Sequence, residues 1–302
     1  MESRDSSIPA APLEDRAEAG NDEPCELAAG GVEVFGTTDP GLVRPTNQDQ
    51  FLIAELGRTL SICGGSLPER ASNQLSAVQG RLLVVADGVG GYDGGELASA
   101  IAIDTFVSLV LEVLPWLAPG STELKRPVLE TLRTSVRAAD EAVHRAAMEL
   151  GLDERMSTTL TAAYIAWPDV YLVHVGDSRC YLRRGAHLAQ LTIDHTVTED
   201  TINDGRPLLF NTVGGTRNKE LMVEGHAFDL QEGDELLLCT DGVAAHVDQQ
   251  ELETLLARPS SVEARVRALL GIVNEHGATD NTTVILARFQ MTEHPDSAPP
   301  SH

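Results

Sequence analysis

The stretch that most constrains the fold runs from Arg81 to Ser99 and reads RLLVVADGVGGYDGGELAS. Leu82, Leu83, Val84, Val85 and Ala86 form an unbroken apolar run with glycine on both sides. A run this short predicts a strand buried on both faces rather than a helix. It stops at Asp87, so a carboxylate stands at the rim of whatever core the strand enters. Gly88, Gly90, Gly91, Gly94 and Gly95 follow, and bare backbone can turn sharply and approach a ligand closely. A helical pattern begins at Glu96. A carboxylate with a backbone carbonyl beside it suits a hard cation such as Mg²⁺ or Mn²⁺. An Asp-Gly pair alone is most often a plain turn, so a cation needs further aspartates placed the same way.

The chain supplies them. Asp241 follows ELLLCT, Asp280 precedes NTTVILARF, and Asp49 precedes FLI. Four carboxylates at the ends of apolar strands either diverge to solvent or converge on a cation, because buried anions are costly together. Glycine after two of the four favours convergence. Arg44 lies shortly before Asp49 in the polar loop GLVRPTNQDQ. A guanidinium suits forked recognition of phosphate, although its commonest role is a surface salt bridge.

The remaining pattern predicts strands near 32–35, 51–53, 158–167, 170–175, 179–184, 187–191, 235–240 and 282–289. Apolar spacing of three and four predicts helices from Leu97 to Pro115, from Leu129 to Leu150, and over 249–256 and 261–276. Residues 57–80 read as a strand, a polar excursion and a return, and 192–226 as irregular. Strands, two helices, many strands, helices and a last strand make an α+β chain with antiparallel sheet, not a βαβ alternation. Residues 1–30 predict a disordered acidic tail and 291–302 a second one, leaving 31–290 as one domain.

Net charge is −24 over 302 residues, which opposes a nucleic-acid partner. Cys25, Cys63, Cys180 and Cys239 have no metal-finger spacing. Cys180 and Cys239 sit in apolar runs and read as small core residues, and reduced thiols predict a cytoplasmic protein. The N-terminus has no signal-peptide pattern, and Asp104 and Glu112 interrupt the apolar stretch 97–118, so no membrane partner is expected.

Seven motifs occur in order: Arg44-Pro-Thr-Asn47-Gln48-Asp49, Val85-Ala-Asp87-Gly88-Val-Gly90-Gly91, Ser157-Thr158-Thr159, Val175-Gly176-Asp177-Ser178-Arg179, Leu191-Thr-Ile-Asp194-His195-Thr196, Cys239-Thr-Asp241-Gly242-Val243 and Asp280-Asn281-Thr-Thr283. With them the chain resembles the metal-dependent protein phosphatase family, protein phosphatase 2C, in its compact bacterial form. The resemblance implies two stacked antiparallel sheets flanked by helices, with a metal cleft at one end. It implies two Mn²⁺ or Mg²⁺ ions bridged by Asp87, with the Gly88 carbonyl, Asp241 and Asp280 as further ligands and Asp49 holding a metal-bound water. Arg44 would grip the substrate phosphate, and Asp153 would help hold a third ion. Asp177 and Arg179 read as a structural turn pair, and His195 and His246 as structural or surface histidines. Gln48 and Val89 stand where eukaryotic members often carry Glu and a general-acid His.

The activity implied is hydrolysis of phosphoserine and phosphothreonine by a metal-activated water. The partners implied are phosphorylated proteins and a cognate serine/threonine kinase, with the chain a monomer. The alternatives are a non-catalytic phosphoprotein-binding regulator of the same fold and a hydrolase of small phosphoesters. Intact Arg44, Asp49, Asp87, Asp241 and Asp280 favour catalysis, since a binding module has no need of all five.

Overall fold

Where an apolar run is buried on both faces, alternate side chains must enter two different cores, and residues 82–85 do so. Leu83 and Val85 pack in one core with Leu236 and Ile285, while Leu82 and Val84 pack in another with Phe106 and Leu132. The structure is a computed structural model that describes residues 26–27, 31–61, 74–89, 93–113, 122–152, 156–201, 207–215 and 220–290.

In chain order the strands are β1 (Glu26–Leu27), β2 (Val32–Asp39), β3 (Asp49–Ser61), β4 (Gln74–Val89), β5 (Ser157–Thr158), β6 (Leu160–Ala166) and β7 (Asp169–Val175). They continue with β8 (Arg179–Arg184), β9 (His187–Gln190), β10 (Thr196–Thr201), β11 (Pro207–Leu209), β12 (Glu224–Asp229), β13 (Glu235–Cys239) and β14 (Thr282–Phe289). The helices are α1 (Asp93–Val113), α2 (Thr122–Leu150), α3 (Asp241–Ala244), α4 (Gln249–Leu256) and α5 (Val262–Glu275).

One sheet has the order β1-β2-β14-β13-β8-β9, and the other β12-β7-β6-β4-β3 with β5 beside β4. The strand pairs are antiparallel, as the sequence predicts. Between the sheets lie Val32, Leu83, Ile165, Leu172, Leu236 and Phe289. The helices α1 and α2 cover the outer face of the second sheet, and α4 and α5 cover the first. Each fully buried Leu or Phe in these layers contributes about 1.5–3 kcal/mol.

The apolar stripe of α2 is Val128, Leu132, Val136, Ala139, Val143 and Ala147, spaced by three and four. Gly151, with φ +66, ends that helix. The Leu152 N–H then bonds to Ala147 O at 2.8 Å and the Gly151 N–H to Met148 O at 3.2 Å, the glycine-stop pattern for orphan carbonyls.

Several expectations are corrected. Residues 192–226 are not wholly irregular: they hold the β10–β11 hairpin and the start of β12. β10 and β12 are mostly polar and β11 has only three residues, so no long apolar run announces them, and β12 forms because buried β7 offers it a ladder. The stretch 158–167 divides into β5 and β6, and α1 begins at Asp93 rather than Glu96. Glu26–Leu27 pair with β2, inside the segment expected to be a tail. The rest of both expected tails, and residues 62–73 of the polar excursion, lie outside the described residues. Residues 94–112 of α1 are long and apolar enough to cross a membrane by length and composition. In this fold Ala98, Ala102, Phe106 and Val110 of that helix are buried against the second sheet and α2. Cys180 and Cys239 are fully buried core residues, as read, and burial pushes the Cys239 thiol up to about 12.

Candidate active site

Strand register sets the first pair of acids. β3 and β4 run antiparallel with Asp49 directly opposite Asp87, so both carboxylates stand at one end of the second sheet. The backbone of Asp87 is held on both sides. Its N–H donates to Thr159 Oγ1 at 2.9 Å, and its carbonyl accepts from Thr158 Oγ1 at 2.8 Å and Thr159 N at 2.9 Å. Gly88 follows where β4 meets the start of α1, and a Cβ there would collide with the Gly95 carbonyl, so only glycine fits.

The other sheet delivers its acids to the same end. Asp241 follows β13 as the first residue of α3, and Asp280 stands just before β14. Thr240 and Thr283, beside them, donate to Asp49 Oδ2 at 2.7 and 2.8 Å. His246 ties the two loops together. Its Nδ1 donates to Gly242 O at 2.8 Å, and its Nε2 accepts the Thr279 N–H at 3.1 Å.

A cleft of about 400 Å³ opens here, lined by Arg44, Asp87, Gly88, Asp177, Asp241 and Asp280 among others. Gln48 and Val89 also line it. Carboxylate oxygens of Asp87, Asp177 and Asp241 lie within 4.8 Å of one another. Asp49 does not line the cleft; it lies beneath, 2% exposed. Asp153 lies outside the described residues.

Electrostatics follow from this crowding. Burial, then the charges of Asp241 and Asp280, push the Asp49 carboxyl up to about 7 against the hydrogen bonds from Thr240 and Thr283. Burial and the neighbouring Asp241 charge push Asp177 up to about 7. Asp87 is held well above the usual carboxylate range by burial and then by Asp241, Asp49 and Asp177. Oδ1 of Asp49 and Oδ1 of Asp177 are buried with no hydrogen-bond partner among the described residues.

Arg44, expected to grip the substrate phosphate, lines the cleft. Its Nη2 donates to Asp280 Oδ2 at 2.7 Å, so part of the fork is occupied by an acid of the cluster. The loop bearing it is stapled by Asn281, whose Nδ2 donates to Pro40 O at 2.9 Å and Thr46 O at 3.0 Å. Asp177 and Arg179 do not form the turn pair expected of them. Arg179 forks onto Asp194, with Nε–Oδ1 at 3.0 Å and Nη2–Oδ2 at 2.7 Å, and Asp177 joins the acids. A signal for Asp177 was present: VYLVHVGD is a buried strand ending in a carboxylate, as LLVVAD is.

The protein phosphatase 2C family model matches residues 72–282. The serine/threonine protein phosphatase PstP of Mycobacterium tuberculosis is 34% identical over 229 residues, covering 72% of this chain and 42% of that protein. The chain thus spans less than half the length of PstP. The serine/threonine phosphatase stp of Listeria monocytogenes is 29% identical over 269 residues, covering 85% of this chain and 95% of stp. The crystal structure of M. tuberculosis PstP superposes with a TM-score of 0.66 at 27% identity, over 86% of this chain and 99% of that one. The PstP catalytic domain in complex with two manganese ions gives 0.66 at 28% identity, over 87% of this chain and 100% of that one. Joined to the stacked antiparallel sheets and the acid-lined cleft at their end, the family match shows that this chain belongs to the protein phosphatase 2C family.

Proposed function

We propose that the chain is a metal-dependent serine/threonine phosphoprotein phosphatase. The observation that carries this is the cluster of Asp87, Asp177 and Asp241 oxygens within 4.8 Å, with a guanidinium on the same cleft. The relatives named phosphatases and the manganese-bound neighbour support it.

The donor set fits a hard divalent ion. It consists of oxygen, no His or Cys lines the cleft among the described residues, and two buried carboxylate oxygens lack any partner. Asp87, the Gly88 carbonyl, Asp241 and Asp280 would hold Mn²⁺ or Mg²⁺, and Asp177 adds a further oxygen to the same cluster. A bound pair of such ions supplies charge neutralisation and a water acidified to near neutrality.

The residues do the rest. Asp49, beneath the cleft and fixed by Thr240 and Thr283, would orient a water with its buried, unpartnered Oδ1. Arg44 presents its remaining N–H groups to two phosphate oxygens and holds phosphorus in line for attack. The substrates are phosphoserine and phosphothreonine proteins, and a cognate serine/threonine kinase is the partner they require.

Chelated protein is expected to be inert toward a phosphothreonine peptide and to recover with Mn²⁺ or Mg²⁺ but not best with Zn²⁺. Full turnover without metal would overturn the proposal. A higher kcat/KM for p-nitrophenyl phosphate than for the peptide would favour the small-phosphoester alternative.

Arg44→Ala should lower kcat/KM by about one to two decades, since a charged hydrogen-bond pair contributes about 1.5–3 kcal/mol. Arg44→Lys should recover only part, because an ammonium cannot fork. Calorimetry should find Mn²⁺ binding retained, as Arg44 engages Asp280 through one nitrogen only. Lost Mn²⁺ binding with unchanged phosphate inhibition would instead make Arg44 a brace for the Asp280 loop.

A further inference from the structure

A second group with metal-ligand spacing lies behind the cleft: His174, His195 and Glu224, with ligand atoms within 4.8 Å of one another. Its hydrogen bonds decide what it is. His195 Nδ1 accepts the Gly176 N–H at 3.0 Å and meets Asn211 Nδ2 at 2.8 Å. The Asn211 amide cannot be turned round, because its Nδ2 donates to Met222 O at 2.8 Å and its Oδ1 accepts the Met222 N–H at 3.1 Å. Both neighbours of His195 Nδ1 are therefore donors, Nδ1 carries no proton, and the proton of the neutral ring sits on Nε2. His174 Nε2 lies 3.2 Å from Ile193 O, an acceptor, so that ring too carries its proton on Nε2. A cation on His195 Nε2 would need an imidazolate. The group is a hydrogen-bond hub, not a metal site.

What the hub joins gives it a role. The backbone of His195 donates to Gly176 O at 2.8 Å and accepts from Phe210 N at 3.0 Å. Between these anchors lie the paired strands β10 and β11, whose Thr196, Leu208 and Leu209 line the cleft. Gly176 precedes Asp177 and has φ +111, and a Cβ there would lie 2.5 Å from the Thr159 side chain. Thr159 is the residue that holds the Asp87 N–H. One imidazole, 3% exposed, thus fastens the hairpin wall to the turn that carries Asp177.

We propose that His195 is a positioning residue whose unprotonated Nδ1 sets the Asp177 turn and the hairpin relative to each other, so that metal affinity and substrate affinity both depend on it. This rests on the phosphatase reading for the substrate half only. The side chain of Asn has an acceptor, Oδ1, where His has Nδ1, so His195→Asn keeps the junction. His195→Leu fills the space and leaves two buried donors without an acceptor.

The test measures the Mn²⁺ Kd by calorimetry, KM and kcat for a phosphothreonine peptide, and Tm with chelator, in wild type and both variants. His195→Leu is expected to raise both Kd and KM about tenfold, the size of one lost hydrogen bond, with a smaller change in kcat, and His195→Asn to recover most of it. A folded His195→Leu with wild-type Kd and KM overturns the proposal, and so does an Asn variant as impaired as the Leu one. If His195→Leu fails to fold, Asn211→Ala replaces it: KM should rise with the Mn²⁺ Kd retained, and no change in KM overturns the link to the hairpin. A wild type that binds Mn²⁺ but hydrolyses no phosphopeptide would sink the phosphatase reading while the calorimetric comparison still decides on His195.

Discussion

Asp87→Asn is expected to abolish metal-dependent turnover and, with chelator present, to raise the melting temperature. The loss should be on the order of a thousandfold or more, equivalent to the several kcal/mol that a divalent ion supplies to the transition state. The gain has an independent cause. Burial and four neighbouring acids hold the Asp87 carboxyl well above its usual range, so an amide of the same shape relieves repulsion in the metal-free protein. The pH dependence carries the same sign. Asp49 and Asp177 titrate near 7 when folded against 3.8 for an unperturbed carboxyl. Between those values the folded state keeps protons that the unfolded chain has released, so stability falls as pH rises through that window. Melting of chelated protein from about pH 5 to about pH 8 should show this decline, and Asp87→Asn should flatten it. Near-wild-type turnover in the variant would remove Asp87 from the site. A pH-independent melting temperature would mean that the acids do not face one another in solution.

Glu235→Ala should produce the largest loss of stability. Glu235 is 1% exposed and is held by Arg265 at 2.8 and 2.9 Å, Arg288 at 2.8 Å and Arg183 at 3.1 Å. Arg265 is itself 1% exposed and also donates to Leu256 O, which ties α5 to the end of α4. Burial alone would raise the Glu235 carboxyl, and the hydrogen bonds from Arg265 and Arg288 outweigh it, leaving the group below its ordinary value. Its contribution is therefore present near neutrality and lost only in acid, below the unperturbed carboxylate range. Removing the shared anion strands the buried Arg265, and breaking a buried pair in this way costs about 3–5 kcal/mol. Urea unfolding at neutral pH measures it. A loss below about 1 kcal/mol would show that water reaches the network and screens it as at a surface.

Neither effect was equally readable in the chain. The strand over 82–86 and the acids at strand ends were legible because a two-sided apolar run followed by Asp-Gly has few structural outcomes. Asp177 follows the same pattern but also reads as a turn pair with Arg179; the partner of that arginine, Asp194, is fixed by tertiary contact. The Arg44–Asp280 pair joins the start and the end of the chain, and no local pattern encodes it. The Glu235 network brings together four charged residues from β8, β13, α5 and β14, each of which looks like an ordinary surface residue in sequence. The strand β12 was hidden for the opposite reason, being polar and dependent on its neighbour for order.

The acids are divided between the two sheets. Asp49 and Asp87 belong to the second sheet, Asp241 and Asp280 to the loops of the first, and Asp177 to the crossing from one to the other. A cation held between Asp87 of one sheet and Asp241 and Asp280 of the other would act as a rivet through a laminate. Its affinity registers how far one sheet has slid over the other, and that offset is set by side chains such as Leu83, Leu172 and Leu236 deep in the layer between them. The cleft is in this sense a gauge of the packing behind it, and a methyl group added or removed among those leucines reaches the chemistry without touching a ligand.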